Sequence, residues 1–298
     1  MNRKIQFFIS FAVFIFAVII FLFIVRKKET GISVQGKITE FFNVSWASDE
    51  LWEDGLAEVA VYQAERSIYG DIRHYEYIFI LVKETFNRAF QVKTDDYTRN
   101  DLFDVMKINK FARIETDRYP YHYLSSIFFT RNDPLHLYKF TNSSQEWCGN
   151  TFKYFINQEN EYKYEYNSYW DNQGTGSTSL PPDVIFEDQL SYTLRSLNFR
   201  EGLSFDCRIV ETQVTNKATE PVIYEGIISI HKNKAYQPDL EDFRKDDIWE
   251  IRVKLNDEKM NTYWIAGKYP NELIQMVAWD GRRIELKHIS REAYWLDK

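Results

Sequence analysis

The sequence predicts a mainly β protein: an N-terminal transmembrane helix followed by one large curved antiparallel sheet, a half-open barrel or sandwich, with one short helix. Three observations predict it. The 298 residues include 8 Trp, 20 Tyr and 23 Phe against only 11 Gly and 7 Pro, an aromatic enrichment that suits pleated, half-buried strands. A hydrophobic share of 44% beside 27% charged residues can bury a sizeable core, which excludes a disordered chain. Finally, one long apolar stretch stands at the N-terminus, and beyond it short apolar runs alternate with polar turns to the end of the chain.

The first element is the apolar run from Ile5 to Val25, interrupted only by Gln6 and Ser10. At about 1.5 Å per residue it spans roughly 31 Å, the thickness of a hydrocarbon core. It is too long for the apolar part of a cleaved signal peptide and ends in Leu22, Phe23, Ile24 and Val25 rather than small residues, so it reads as an uncleaved anchor. Residues 1–28 are thus a single-pass signal anchor, 29–44 a tether and 45–298 an extracytoplasmic β domain. Arg3 and Lys4 precede the anchor and Arg26, Lys27 and Lys28 follow it, nearly balancing the positive-inside count. The short tail is expected inside and the large body outside the membrane, because large C-terminal domains translocate largely regardless of charge. Beyond residue 28 the net charge is −12, which removes the basic footprint a nucleic-acid partner requires.

Within the body, Tyr75, Tyr77, Phe79 and Leu81 alternate with Glu76, Ile78, Ile80 and Val82, apolar on nearly both faces, so this strand is expected to be central. Tyr162, Tyr164 and Tyr166 alternate with Lys163, Glu165 and Asn167, which predicts a strand with one wet face. The stretch Asp171 to Ser179 reads as a flexible loop. After Pro181-Pro182-Asp183, Leu190, Leu194 and Leu197 recur at helical spacing and predict the short helix. Trp249, Ile251, Val253 and Leu255 open a four-strand antiparallel meander. Its turns fall at Asn256 to Lys259, at Gly267 to Asn271, and at Asp280-Gly281, a pair suited to a type I′ turn.

Chemistry is sparse. The five histidines, His74, His122, His136, His231 and His288, lack the spacing of a zinc hydrolase, so no metal or cofactor is expected. Gly174-Thr175-Gly176-Ser177 lacks the lysine of a phosphate loop. The paired acids Asp95-Asp96, Glu241-Asp242 and Asp246-Asp247 sit in polar, turn-like runs. Cys148 lies in a dense cluster of hydrogen-bonding residues, and as a thiolate nucleophile it would need His122 or His136 within reach. Cys148 and Cys207, the only two cysteines, are the candidates for a disulfide. Amphipathic rings at Tyr121, Tyr123, Trp147, Tyr164 and Trp170 are candidates to stack on a sugar or line a lipid groove. Asn43-Val44-Ser45 and Asn142-Ser143-Ser144 have the form of glycan acceptors.

The run YPYHYLSSIFFT at residues 119–130, SSQEWCG at 143–149 and WDGRRIELK at 279–287 resemble a family of uncharacterised bacterial envelope proteins, secreted or lipoprotein-like, some of which carry the automatic label septum formation inhibitor Maf. The C-terminal meander is loosely similar to periplasmic lipoprotein-carrier-like β domains. The resemblance implies a secreted or lipid-anchored β protein, which with the uncleaved anchor places the body on the periplasmic side of a bacterial inner membrane, and it assigns no functional residues. Together these readings give a membrane-anchored module that binds a hydrophobic or glycan ligand or an envelope protein. The alternative is an envelope hydrolase built on a Cys/His or paired-carboxylate site.

Overall fold

Period-two alternation of large rings and short polar side chains is satisfied by a sheet that curls around one apolar interior, and the computed structural model shows this arrangement. It describes residues 38–233 and 247–296, together with the backbone of Ile32 and Ser33. In chain order the strands are β1 (Ile32–Ser33), β2 (Ala57–Ile68), β3 (Asp71–Asn87), β4 (Val92–Lys93), β5 (Leu102–Ile114), β6 (Tyr121–Thr130), β7 (Leu137–Glu146), β8 (Gly149–Asn157) and β9 (Tyr162–Ser168). They continue as β10 (Thr175–Leu180), β11 (Val184–Phe186), β12 (Leu203–Val210), β13 (Ile223–Asn233), β14 (Ile248–Lys254), β15 (Met260–Ala266), β16 (Leu273–Val277) and β17 (Arg283–Glu292). The helix α1 (Leu190–Thr193) stands between β11 and β12, flanked by 3-10 turns at Glu187–Gln189 and Leu194–Ser196.

All these strands belong to one sheet. From β12 it runs antiparallel through β13, β14, β15, β16 and β17, passes to β2 and β3, and continues through β5 to β10. Short β1 and β11 lie parallel on the free edge of β12. Among the described strands no ladder joins β10 to β11, so the barrel is nearly closed, with one seam. Side chains seal it: Phe186 of β11 packs edge-on against Phe155 of β8 and Tyr162 of β9, with ring centroids 5.1 and 5.4 Å apart.

Because the wall is a meander, alternate turns gather at opposite ends. One end is capped from within by α1. Leu190, Leu194 and Leu197, the three leucines that predict the helix, are all buried in the main apolar cluster. Thr193 bonds the carbonyl of Pro134, and Arg195 forms a two-pronged ion pair with Glu58 of β2 at 2.7 and 2.9 Å. The other end, called the rim here, carries the turns β2–β3, β5–β6, β7–β8 and β9–β10 and the β12–β13 connection, residues 211–222.

β3 is central as expected, lying between β2 and β5, and β9 buries Tyr162 and Tyr164 while Asn167 faces water. The four-strand meander forms with the expected turns. At Asp280-Gly281, however, only Gly281 takes a left-handed backbone, at φ 83°, and Ala278 pairs with Arg282 around a three-residue loop. A type I′ turn would need both central residues at positive φ.

Three expectations are corrected. Residues 175–179 are not loop but the edge strand β10, which reads as a loop because both its faces are polar and wet. The fold begins before residue 45: Phe41 and Phe42 are buried, Phe41 stacking on Phe205 at 4.4 Å, so residues 38–44 belong to the folded body rather than to a tether. Asn142 points inward from β7 with no exposed surface, which rules it out as a glycan acceptor in the folded protein. The apolar segment Ile5–Val25 lies outside the described residues. Among the described residues no helix is long and apolar enough to cross a membrane.

Candidate functional site at the barrel rim

The wall is layered. Following the register around five neighbouring strands from β5 to β9, Ile108, Ile127, Phe140, Phe155 and Tyr164 form one apolar row. Two residues toward the rim, the same strands present Lys110, Ser125, Asn142, Lys153 and Tyr166, and two further on Ala112, Tyr123, Ser144, Thr151 and Ser168. The lumen therefore changes from apolar to polar within about 7 Å along each strand. The 211–222 connection folds over this polar belt: Lys153 donates to the Gln213 carbonyl at 2.7 Å and to Thr215 at 3.0 Å, and Thr151 donates to the Asn216 carbonyl at 2.8 Å. Asp188, beside the helix, accepts from the Gln213 amide and the Thr212 hydroxyl at 2.7 Å each.

Burial drives Lys110 and Lys153 downward, to about 8 and about 7 respectively, against the opposing pull of the Asp188 carboxylate, with which neither forms an ion pair. Both are at most 6% exposed. The same desolvation raises Glu187, against the opposing pull of the Arg282 guanidinium paired with it. Beneath the 211–222 connection lies a cavity of only about 50 Å³, bordered by Arg66, Tyr75, Tyr77, Lys110, Tyr123 and Arg282 among others. It has room for a few waters, at roughly 10–15 Å³ each, and none for an acyl chain.

Four of the five rings expected to bind ligand belong to this end. Tyr121 and Tyr123 stack at 6.2 Å, Tyr119 continues from Tyr121 at 5.7 Å, and Trp147 covers Tyr119 at 6.0 Å, making a ladder from the hairpin tip into the lumen. Tyr69 and Tyr121 join hydroxyl to hydroxyl. Trp170 packs edge-on to Tyr169, whose ring lies where a Cβ on Gly149 would be, 2.2 Å from its Cγ; only glycine fits there. Tyr164 is the exception, fully buried in the apolar row and stacked on Phe155 at 4.3 Å.

The rim rings are unequal in exposure: Trp147 is 79% and Tyr69 72% exposed, while Tyr121 is 3%. Tyr69 and Tyr119 border an open pocket of about 420 Å³ that also includes Asp71, Arg73, Thr116, Asp117 and Arg118. Arg73 grips Asp117 through both terminal nitrogens, at 2.8 and 2.9 Å, and Asp71 through one at 3.0 Å. That contact holds the Asp117 carboxyl below the ordinary carboxylate range and raises the guanidinium further. Sequence reasoning missed Tyr69 and this ion-pair fork because they converge from two different turns.

The Cys/His site is not assembled. Cys148 lies at the β7–β8 turn with its thiol 3.4 Å from the Tyr119 hydroxyl, while His136 lies before the start of β7 and is bound to Asp133 at 3.0 Å. The ten residues of β7 put them about 33 Å apart. His122 points outward, on the face of β6 opposite Tyr121 and Tyr123. Both cysteines are free: Cys148 is exposed at the rim, and Cys207 faces the core from β12, where burial raises its thiol far above the usual range. The Cys148–Cys207 bridge therefore does not form. Of the acid pairs, Asp96 is turned back on Thr98, Asp247 binds Lys232, and Glu241, Asp242 and Asp246 lie outside the described residues. Among the described residues no group of three or more His, Cys, Asp or Glu gathers as for a metal.

No family model matches the sequence, and no curated protein matches it. Two solved structures are similar in outline. One is a β-barrel-like protein of the domain of unknown function DUF1849 from Brucella abortus, at 9% identity and a TM-score of 0.46, covering 79% of this chain and 97% of that one. The other is a DUF1089 family protein from Pseudomonas aeruginosa, at 11% identity and a TM-score of 0.36, covering 64% and 87%. Both come from bacteria, and a similarity to septum formation inhibitors or lipoprotein carriers is not shown.

Proposed function

We propose that the protein is a membrane-anchored glycan-binding module of the bacterial cell envelope, with Ile5–Val25 as its anchor and the barrel rim as its binding surface. The observation that carries this reading is the rim itself. Tyr69 and Tyr119 border a 420 Å³ pocket together with Asp71, Arg73 and Asp117, exposed Trp147 extends this aromatic surface by stacking on Tyr119, and large amphipathic rings beside fixed polar groups are what a sugar ring needs. A lipid inside the barrel is disfavoured by volume, since the lumen is filled by α1 and the 211–222 connection. The Cys/His form of the hydrolase alternative is disfavoured by the placement of Cys148 at the β7–β8 turn, with His136 at the far end of β7 and His122 facing outward.

Intrinsic fluorescence and calorimetric titration of the full-length protein in detergent micelles test the reading, with the β-1,4-linked trisaccharides of N-acetylglucosamine and of glucose as probes. Saturable binding to one trisaccharide is expected, weakened at least tenfold in both Trp147→Ala and Tyr69→Ala and unchanged in Cys148→Ser. Failure of both probes to bind, or binding indifferent to Trp147 and Tyr69, would overturn it.

A further inference from the structure

The small cavity inside the barrel is separate from the rim pocket and differs from it in the state of its hydrogen-bonding groups. Its acids are already engaged. Asp188 accepts from the Thr212 hydroxyl and the Gln213 amide, and Glu187 accepts from Arg282 and the Thr212 amide. Arg282 is held by Glu187 through Nη2 and by Asp280 through Nε. The groups left without an acceptor are donors. Lys110 has three N–H bonds and one protein partner, the carbonyl of Asp188. Arg66 has no carboxylate in ion-pair reach among the described residues and rests its guanidinium 5.3 Å over the Tyr123 ring. The hydroxyls of Tyr75 and Tyr77 make no hydrogen bond among the described residues, and burial raises both.

We infer that this cavity is a binding site for a small oxyanion, held by Lys110, Arg66 and the hydroxyls of Tyr75 and Tyr77. Three cations, Lys110, Arg66 and Arg282, and two neutral donors line the cavity against two carboxylates, Glu187 and Asp188, each of which already accepts from protein donors. The surplus of buried positive charge and of unmet donors is costly, and an oxyanion supplies both the charge and the acceptors. The cavity of about 50 Å³ sets the size: at about 10–15 Å³ per water-sized occupant it takes four or five non-hydrogen atoms, the size of acetate or inorganic phosphate. Enclosure by the 211–222 connection, with Val214 packed against Tyr121 and Tyr123, makes the site selective for size.

Calorimetric titration of the full-length protein in micelles at pH 6.5 with acetate, inorganic phosphate and citrate tests the inference. Saturable binding of acetate or of phosphate is expected, and which of them binds tells a carboxylate site from a phosphate site. Citrate should not bind. Tyr77→Phe, which deletes one hydroxyl, should weaken binding about tenfold, and Lys110→Met should abolish it. Trp147→Ala should leave it unchanged, which separates this result from the fate of the rim reading. If Lys110→Met does not fold, Tyr77→Phe alone decides. No saturable binding of either small anion, equal binding by Tyr77→Phe, or citrate binding as tight as acetate overturns the inference and leaves the cavity to water.

Discussion

Lys153 offers the sharpest test of how the barrel interior is built. Its side chain is 1% exposed, its ammonium touches only the Gln213 carbonyl and the Thr215 hydroxyl, and burial lowers it from the ordinary 10.5 to about 7. That drop corresponds to roughly 5 kcal/mol of penalty on the charged form. The sign follows from where the proton sits. Between pH 7 and 10.5 the unfolded chain keeps Lys153 protonated while the folded chain does not, so the unfolded state binds more protons and stability rises with pH across that window. Below pH 7 the full penalty is present. From pH 7 to 9 the gain amounts to about 2 kcal/mol, because the folded group is still half protonated at pH 7. Lys153→Met has no proton to lose, so its stability relative to the parent should fall by that amount between pH 7 and 9. Contributions from Lys110 and the tyrosines cancel in the difference, because both proteins carry them. The measurement is denaturant unfolding of parent and variant at pH 6, 7, 8 and 9, paired with ¹³Cε lysine NMR, in which one resonance should titrate near 7 and vanish in the variant. Parallel stability curves, together with lysines that all titrate near 10.5, would refute the placement of this ammonium in a dry polar belt.

Glu58→Gln should cost about 3–5 kcal/mol in unfolding free energy, since it leaves Arg195 buried at 6–7% exposure without its counter-charge; a loss below 1 kcal/mol would mean the pair is solvated. Phe155→Ala should cost about 3–5 kcal/mol by chemical denaturation, because it opens a hole between Phe140, Tyr164 and Phe186 in the apolar row. A thiol reagent should modify Cys148 at once in the native protein and Cys207 only on unfolding; two equally fast thiols would place Cys207 outside the core. Gly149→Ala should destabilise the β7–β8 hairpin and free Tyr169, seen as faster amide exchange in residues 146–150, whereas Gly174→Asn should be tolerated, because Asn adopts the left-handed backbone at φ 58° more readily than other side chains and that turn has open space.

Much of the architecture was legible in the sequence because alternation is a strong signal where one face is apolar throughout. Tyr75 to Val82, the tyrosines of β9 and the final meander all satisfy that condition. The polar belt illustrates both sides of the problem. In β5, Met106, Ile108, Ala112 and Ile114 share a parity with Lys110, so a lysine on the buried face was there to be read. In β8 the parity misleads: Phe152, Tyr154 and Ile156 look like the inward set, yet Thr151, Lys153 and Phe155 point in and Phe152 is 42% exposed. Register is set there by the neighbours in β7 and β9 rather than by the strand's own pattern. The rim was half legible. Rings in one short run, Tyr121 and Tyr123, could be grouped, but Tyr69, Asp71 and Asp117 come together only through two separate turns. Tyr164 was misassigned because a stacking ring and a core ring have the same sequence signature.

The ladder between β17 and β2 gives the chain a definite order in time. Glu292 is paired with Ala57 and Arg283 with Glu65, so the last strand made lies in the middle of the wall and joins its two halves. On a ribosome, β2 to β10 can pair with one another as they emerge, and β12 to β16 can do the same afterwards. Only when residues 283–292 leave the exit tunnel can the first half dock to the second. Until then β2 presents a bare edge of twelve residues to the cytosol or to a translocation channel, and a chaperone or a stray strand has that interval in which to bind it.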